Sequence, residues 1–274
     1  MSELGTQYTY SRLNSNRPGE VPDIYSESST QLFPIGTEYK YGENTYRYAK
    51  AGAAIQAGLV VQAAAITEGD IAVQTAVTAG DKSIAVTTTA TTAANQYDEG
   101  YLFVTQNNAQ ATRVGGSYRI KSHTSGSSGT LTFTLYDPIK VALDTSSKVT
   151  IIANRYNGVI TAASTPTAEL VGVTHPMQDA NNTITDAYYF WLQTHGLAAI
   201  VATDVSDLTL IGQGVYYVSG GTTGNVTSLL GEAADGGTAI TTTNQNLNIK
   251  IGTLVDAPGG ADADAAVIRL DGFN

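Results

Sequence analysis

The sequence predicts a mostly β fold: an extended N-terminal arm, then a β-barrel or sandwich-type domain with a second β-rich domain, inserted in it or separate from it, and few short helices. Three observations predict it. Only 14% of the residues are charged, too few for long solvated helices, while Gly, Thr, Ser, Val and Ala dominate. Short alternating apolar and polar segments recur from Phe33 onward, punctuated by Gly-, Asn- and Asp-marked turns. Residues 1–34 instead hold Pro18, Pro22 and Pro34 among Asn and Ser, with few aliphatics, a composition that favours neither helix nor sheet. The 274 residues give room for two modest domains with a buried core.

Taken in order, residues 1–34 form the arm. Tyr8, Tyr10, Tyr25, Leu32 and Phe33 are unusual in a purely solvating tail, which favours an arm docked on a neighbour. Residues 35–69 begin the core domain. Ile35, Thr37, Tyr39 and Tyr41 share one face, Gly42-Glu43-Asn44 reverses the chain, and Thr45-Tyr46-Arg47-Tyr48 returns, a tyrosine-rich hairpin. The alanines of 49–58 favour a helical turn or two, limited by Gly52 and Gly58, before the strand candidate Leu59-Val60-Val61. Residues 70–155 alternate as a separate β-rich block. Within it His123 to Gly129 reads as a mobile hairpin loop, and Asp137-Pro138 as the cap of a short helix. Residues 156–274 return to strands that can pair with those around 33–61, so 70–155 is either an insertion or a second domain.

Charge divides the chain. Residues 1–155 hold 12 Lys/Arg against 13 Asp/Glu, and 156–274 hold 2 against 11, so the C-terminal part carries −9 of the net −10. That surface repels nucleic acid and suits a solvent-facing part, while the balanced first half suits a protein partner. No cysteine is present, which excludes disulfides and thiolate metal sites. Residues 1–20 lack the basic start and apolar run of a signal peptide. The longest apolar tract, 53–66, is too short to span a bilayer, so no membrane partner is expected.

Catalytic and cofactor motifs are not found. His123, His175 and His195 have no partner at metal-ligand spacing. Asp262 and Asp264 lack the spacing of a calcium loop. No nucleophile elbow occurs, and nothing singles out an acid from a base among Asp186, Asp204 and Asp207. Gly212-Gln213-Gly214 and Gly220-Gly221 match no phosphate loop. The sequons at Asn181 and Asn225 are of the kind that arise by chance at this Thr content. Tyr188-Tyr189-Phe190-Trp191 reads first as a strand with at least one pair in the core, and second as a sugar-stacking or interface platform. No cofactor and no metal are expected, and an enzyme is the least favoured class.

Three stretches then carry a resemblance: FPIGTEYKYGENTYRYAKAGAAIQAGLVVQ, the middle NQYDEGYLFVTQ through LTFTLYDPIKVALDTSSKVTIIANRYNGVI, and GVTHPM through LIGQGVYYVS. Together they resemble capsid decoration, or cement, proteins of tailed bacteriophages, over most of residues 33–218. The resemblance implies a β-rich virion protein on the outer face of the head, a homotrimer at local three-fold positions that binds the major capsid protein and locks capsomers together. It makes Tyr8, Tyr10, Tyr25, Phe33, Tyr39, Tyr41, Tyr46 and Tyr48 the candidate interface, with the four hairpin tyrosines divided between core and partner. The rival readings are a tail or fibre subunit that binds host glycans and a major shell protein. The latter needs a long spine helix for which no window of the sequence has the spacing.

Overall fold

A computed structural model of the chain describes residues 12–14, 22–64, 68–107, 115–164, 166–176, 182–201, 208, 210–217, 249–256 and 265–273. Strands make up 55% and no helix occurs among the described residues, so the protein is mostly β. In chain order the strands are β1 (Arg12–Asn14), β2 (Glu38–Tyr41), β3 (Asn44–Ala51), β4 (Ile55–Gln56), β5 (Val60–Gln62), β6 (Glu68–Ala72), β7 (Ser83–Thr92), β8 (Tyr101–Gln106) and β9 (Ser117–His123). They continue as β10 (Gly126–Leu135), β11 (Lys148–Ile152), β12 (Asn157–Thr161), β13 (Leu170–Val173), β14 (Thr183–Ile184), β15 (Tyr189–Val201), β16 (Gly214–Tyr217), β17 (Ile249–Asp256) and β18 (Ala265–Leu270). The chain divides into two compact units, one formed by Met1–Ala63 with Gly158–Asn274 and the other by the continuous segment Ala64–Asn157. The second is therefore an insertion into the first.

In the first unit β3, β12, β5, β13 and β15 pair in that order, and β15 pairs back onto β3, closing a five-stranded barrel. Closure removes the sheet edges that a flat sheet would leave open. β2 and then β1 add outside β3, and β18, β17 and β16 add outside β15. One long strand serves both: Tyr189 to His195 of β15 pair with β3, and Gly196 to Val201 pair with β18. The change of partner coincides with a bulge between Gln193 and His195 and with Gly196 at φ +93°, a conformation that a side chain resists. The hairpin turn leaves no alternative to glycine there. A Cβ at Gly196 would meet Asn44 Oδ1 and lie 2.8 Å from Asn44 Cα, and the Leu197 N–H donates to that same Oδ1 at 2.9 Å. The barrel interior and the β16–β18 extension share an aliphatic core that includes Val60, Leu170, Ile200, Val215, Ile268 and Leu270.

In the second unit six strands run in the order β6-β11-β8-β9-β10-β7 as a curled half-barrel. Its concave face is filled by Ile84, Leu102, Ile120, Leu131, Phe133 and Val149, among others. The alternating burial of β8 and β9 shows why their sequences read as strands with one wet face.

Three local expectations are corrected. The chain does not turn helical at 49–58: β3 runs through Ala51, whose N–H donates to Tyr188 O at 2.8 Å, and Ile55–Gln56 pair with β14. Strand partners outweigh the small helix propensity of a few alanines. No helix starts at Asp137-Pro138 either, because Ile139 instead exchanges backbone hydrogen bonds with Gly80 and Asp81 at 2.8 Å each. The segment 123–129 is no loop. Only Thr124 and Ser125 separate β9 from β10, and Gly126 already pairs with Thr92 at the far end of the ten-residue β7. A long neighbouring strand satisfies the backbone of a Gly/Ser stretch that would otherwise stay irregular.

Candidate functional site: a tyrosine face on the barrel

The β2–β3 hairpin turns through Gly42 and Glu43, with Tyr41 opposite Asn44 and Gly42 at φ +61°, as a glycine-first two-residue turn requires. Its tyrosines point mostly inward. Tyr39, Tyr46 and Tyr48 are buried and form, with Trp191 and Ile24, a second core distinct from the aliphatic one. Trp191 sits opposite Tyr48 across β15–β3, its ring 5.1 Å from Tyr48 and 5.6 Å from Tyr39. Aromatic rings at these separations add to simple burial.

This aromatic layer is covered by residues 22–33 of the same chain. Ile24 is buried in it, and Phe33 packs on Tyr48 and Trp191, each at 5.3 Å. Ser28 and Tyr189 exchange two backbone hydrogen bonds, 2.9 and 2.8 Å. The Glu27 carboxylate accepts from Thr185 N at 2.6 Å and Thr185 Oγ1 at 2.5 Å, and Leu32 N donates to the Tyr48 hydroxyl at 3.1 Å. Residues 22–33 thus form a strap fastened to the barrel. Both faces of β15 are consequently buried in its first half: Phe190 and Leu192 point one way by strand alternation, Trp191 and Gln193 the other.

The candidate interface residues therefore separate. Tyr8 and Tyr10 lie outside the described residues. Phe33 is half-buried under its own strap, and Tyr39, Tyr46 and Tyr48 are interior. Tyr25 and Tyr41 face solvent, 48% and 56% exposed, and Leu32 is also exposed. The hairpin divides three inward to one outward, because the strap covers a face that strand periodicity alone would leave open. Tyr25 and Tyr41 flank a cleft of about 300 Å³ whose lining includes Pro22, Asp23, Ile24 and Tyr39. Tyr41 stacks on Tyr39 at 6.5 Å, and the Tyr39 hydroxyl is buried without a hydrogen-bond partner. Burial raises the Tyr39 hydroxyl pKa above the usual tyrosine value, with smaller contributions from Tyr41 and Tyr46.

No family model, curated protein or solved structure matches this chain.

Two of the three histidines are occupied internally. His175 is buried beneath Tyr25, edge-on to the rings of Tyr25 and Tyr46 at 5.4 and 5.5 Å. Its Nε2–H donates to Trp191 O at 2.8 Å, and Nδ1 faces Pro176 O at 3.2 Å. Burial holds its pKa below the ordinary histidine value, against the opposing pull of these carbonyls and of Asp23. His123, in the inserted unit, accepts from Tyr97 N at Nε2 (2.8 Å), so its Nδ1 carries the proton and donates to Thr124 O at 2.7 Å. Burial lowers its pKa as well. Both rings are thus engaged within the fold, and neither offers a nitrogen to a substrate. His195 is exposed on β15. Among the described residues no three His, Asp or Glu side chains gather as a metal site.

One buried acid was not signalled by any motif. Glu68 lies in the inserted unit's interior, where its Oε1 accepts from Thr88 and Thr92 hydroxyls and its Oε2 has no hydrogen-bond partner. Burial, with the Glu68 charge adding, pushes the Tyr97 hydroxyl up to about 12. Asp186 is exposed. Asp204, Asp207, Asp262 and Asp264 lie outside the described residues, as do Asn181, Asn225, Gly220 and Gly221.

Proposed function

We propose that this chain is a structural virion protein without catalytic activity, a capsid decoration protein that binds the outer surface of a tailed-phage head. In this reading it is a homotrimer whose strap-and-hairpin face meets the major capsid protein while the acidic C-terminal part faces water. The observation that carries the reading is the exposed pair Tyr25 and Tyr41, two large amphipathic rings presented on a closed barrel and a fastened strap. Rings held in place before contact lose little entropy on binding, which is what an adhesive surface needs. Two of the three histidines, His123 and His175, which a hydrolytic enzyme could use as bases, are committed to backbone hydrogen bonds.

Quantitative mass spectrometry of purified virions tests the class. Hundreds of copies per particle are expected of a decoration protein. A few to some dozens would favour the tail-subunit reading, and absence from particles would remove the virion reading. The surface is tested by Tyr25→Ser with Tyr41→Ser, which should lower attachment to heads roughly tenfold or more and leave the isolated fold intact. Unchanged attachment would sink the proposed interface.

A further inference from the structure

We infer that the outer face of the inserted unit carries a stacking platform for a neutral saccharide chain, centred on Tyr101, Arg119 and Tyr136. The inference goes beyond the proposed virion role and does not depend on it. Neighbouring strands build the platform from one row of residues. Ile152 lies opposite Tyr101 across β11–β8, Tyr101 opposite Arg119 across β8–β9, and the Tyr136 N–H, just past β10, donates to Arg119 O at 3.0 Å. Strand alternation turns the adjacent Ile151, Leu102, Ile120 and Leu135 into the core and leaves the row on the outer face. Tyr101 and Tyr136 are 45% and 40% exposed and stand two strand spacings apart, about 10 Å at the backbone. Phe103 continues the aromatic surface along β8, its ring 6.1 Å from Tyr101.

Between the two tyrosines the polar groups are fixed before any ligand arrives. The Arg119 guanidinium lies over the Tyr136 ring, 5.2 Å from its centroid, and pairs with the Glu99 carboxylate. That carboxylate also accepts from the Tyr136 hydroxyl at 3.0 Å. Glu99 takes a left-handed backbone conformation, φ +62°, held by its N–H, which donates to Ile120 O at 3.1 Å. A residue other than glycine keeps such strain only where the surrounding structure over-determines it, a pattern concentrated at functional sites. Lys82 Nζ donates to Tyr136 O at 2.8 Å and fixes the far end of the row.

These features select a ligand. Exposed aromatic faces take the C–H face of a pyranose ring, an apolar contact that needs no charge. A carboxylate beside a guanidinium offers acceptors and donors together, and two neighbouring sugar hydroxyls, each donor and acceptor at once, match both. Nucleobases would stack as well, but a nucleic acid draws much of its affinity from cations that neutralise its phosphates. The guanidinium at the centre of the platform is already neutralised by Glu99. Two stacking faces with the ion pair between them suit a chain of sugars, since one ring cannot cover both.

The test is a titration of the isolated full-length chain, followed by amide NMR, with cellohexaose, maltohexaose and chitotetraose, and with hexathymidylate as a stacking ligand that carries phosphates. At least one of the neutral oligosaccharides should give saturable shifts at Tyr101, Arg119 and Tyr136 in the millimolar range or below, while hexathymidylate gives none. Tyr101→Ala and Tyr136→Ala should each weaken that response about fivefold or more, and Tyr101→Phe, which keeps the stacking ring, should preserve it. Glu99→Gln should weaken saccharide binding and, by freeing the guanidinium, admit hexathymidylate. Unshifted core amides at Ile84 and Phe133 identify the variants that remain folded. Shifts from none of the oligosaccharides, saccharide binding that survives loss of both rings, or tighter binding of hexathymidylate by the unaltered chain would each overturn the inference, the last making the platform a nucleic-acid site.

Discussion

At the scale of residues, burial decides what each side chain does. Gly196 has the narrowest tolerance: its φ of +93° and the 2.8 Å approach to Asn44 Cα leave no room for a methyl group. Gly196→Ala should destabilise the barrel by roughly 3 kcal/mol, read from the denaturation midpoint of the chain's single tryptophan, Trp191. His175 sets a pH dependence. Its folded pKa lies below its unfolded value of 6.5, so the unfolded chain takes up the proton first. Its contribution to stability is full above about pH 6.5 and is lost as pH falls toward the folded-state value. The melting temperature should therefore decline on acidification from that point, and His175→Gln, which keeps a donor for Trp191 O, should shallow the decline. The remaining slope belongs partly to His123, whose pKa is displaced in the same direction. An unchanged slope in the variant would show that His175 is not buried as described. The sequence marked the hairpin tyrosines as special. It did not show which of them face out, because their inward or outward fate depends on the strap, which meets β3 and β15 only after folding.

At the scale of elements, the strap is held locally, by two backbone hydrogen bonds with Tyr189, the Glu27–Thr185 contact, the Leu32–Tyr48 hydrogen bond and the packing of Ile24 and Phe33. Glu27→Ala removes the acceptor for both Thr185 groups and should loosen the strap locally. Hydrogen exchange should quicken at Ser28 and Tyr189, whose amides bond each other's carbonyls, while β13 and β15 beyond Gly196 stay protected. Uniform acceleration across β15 would mean that strap and barrel open as one. The elements themselves were largely legible: the β2–β3 hairpin, β5, β8, β9 and β15 fall where alternation and turn residues put them. The misreadings at 49–58, 123–129 and Asp137-Pro138 share one cause. Local propensities there are worth tenths of a kcal/mol per residue, and partners distant in sequence supply whole hydrogen bonds.

At the scale of the whole molecule, the insertion makes a prediction of its own. β5 and β12 pair next to the points where the inserted unit leaves and returns, Gln62 opposite Ile160, so the chain ends left by excising 64–157 already lie on adjacent strands. Replacing that segment with a short Gly-Ser linker should leave a folded barrel with a cooperative Trp191 transition. Loss of that transition would show that the barrel needs its insertion. By itself the sequence determined that the protein is β-rich, that stability comes from packing without disulfides, that negative charge gathers in the C-terminal part, and where most strands begin. Those properties follow from composition and from a period of two, which neighbouring residues carry. Only the tertiary structure decided that five strands close into a barrel, that residues 22–33 fold back onto their own chain, and that Tyr25 and Tyr41 flank one cleft. Each of these is a contact between residues far apart in the chain, and no local pattern encodes which distant surface will cover a given face.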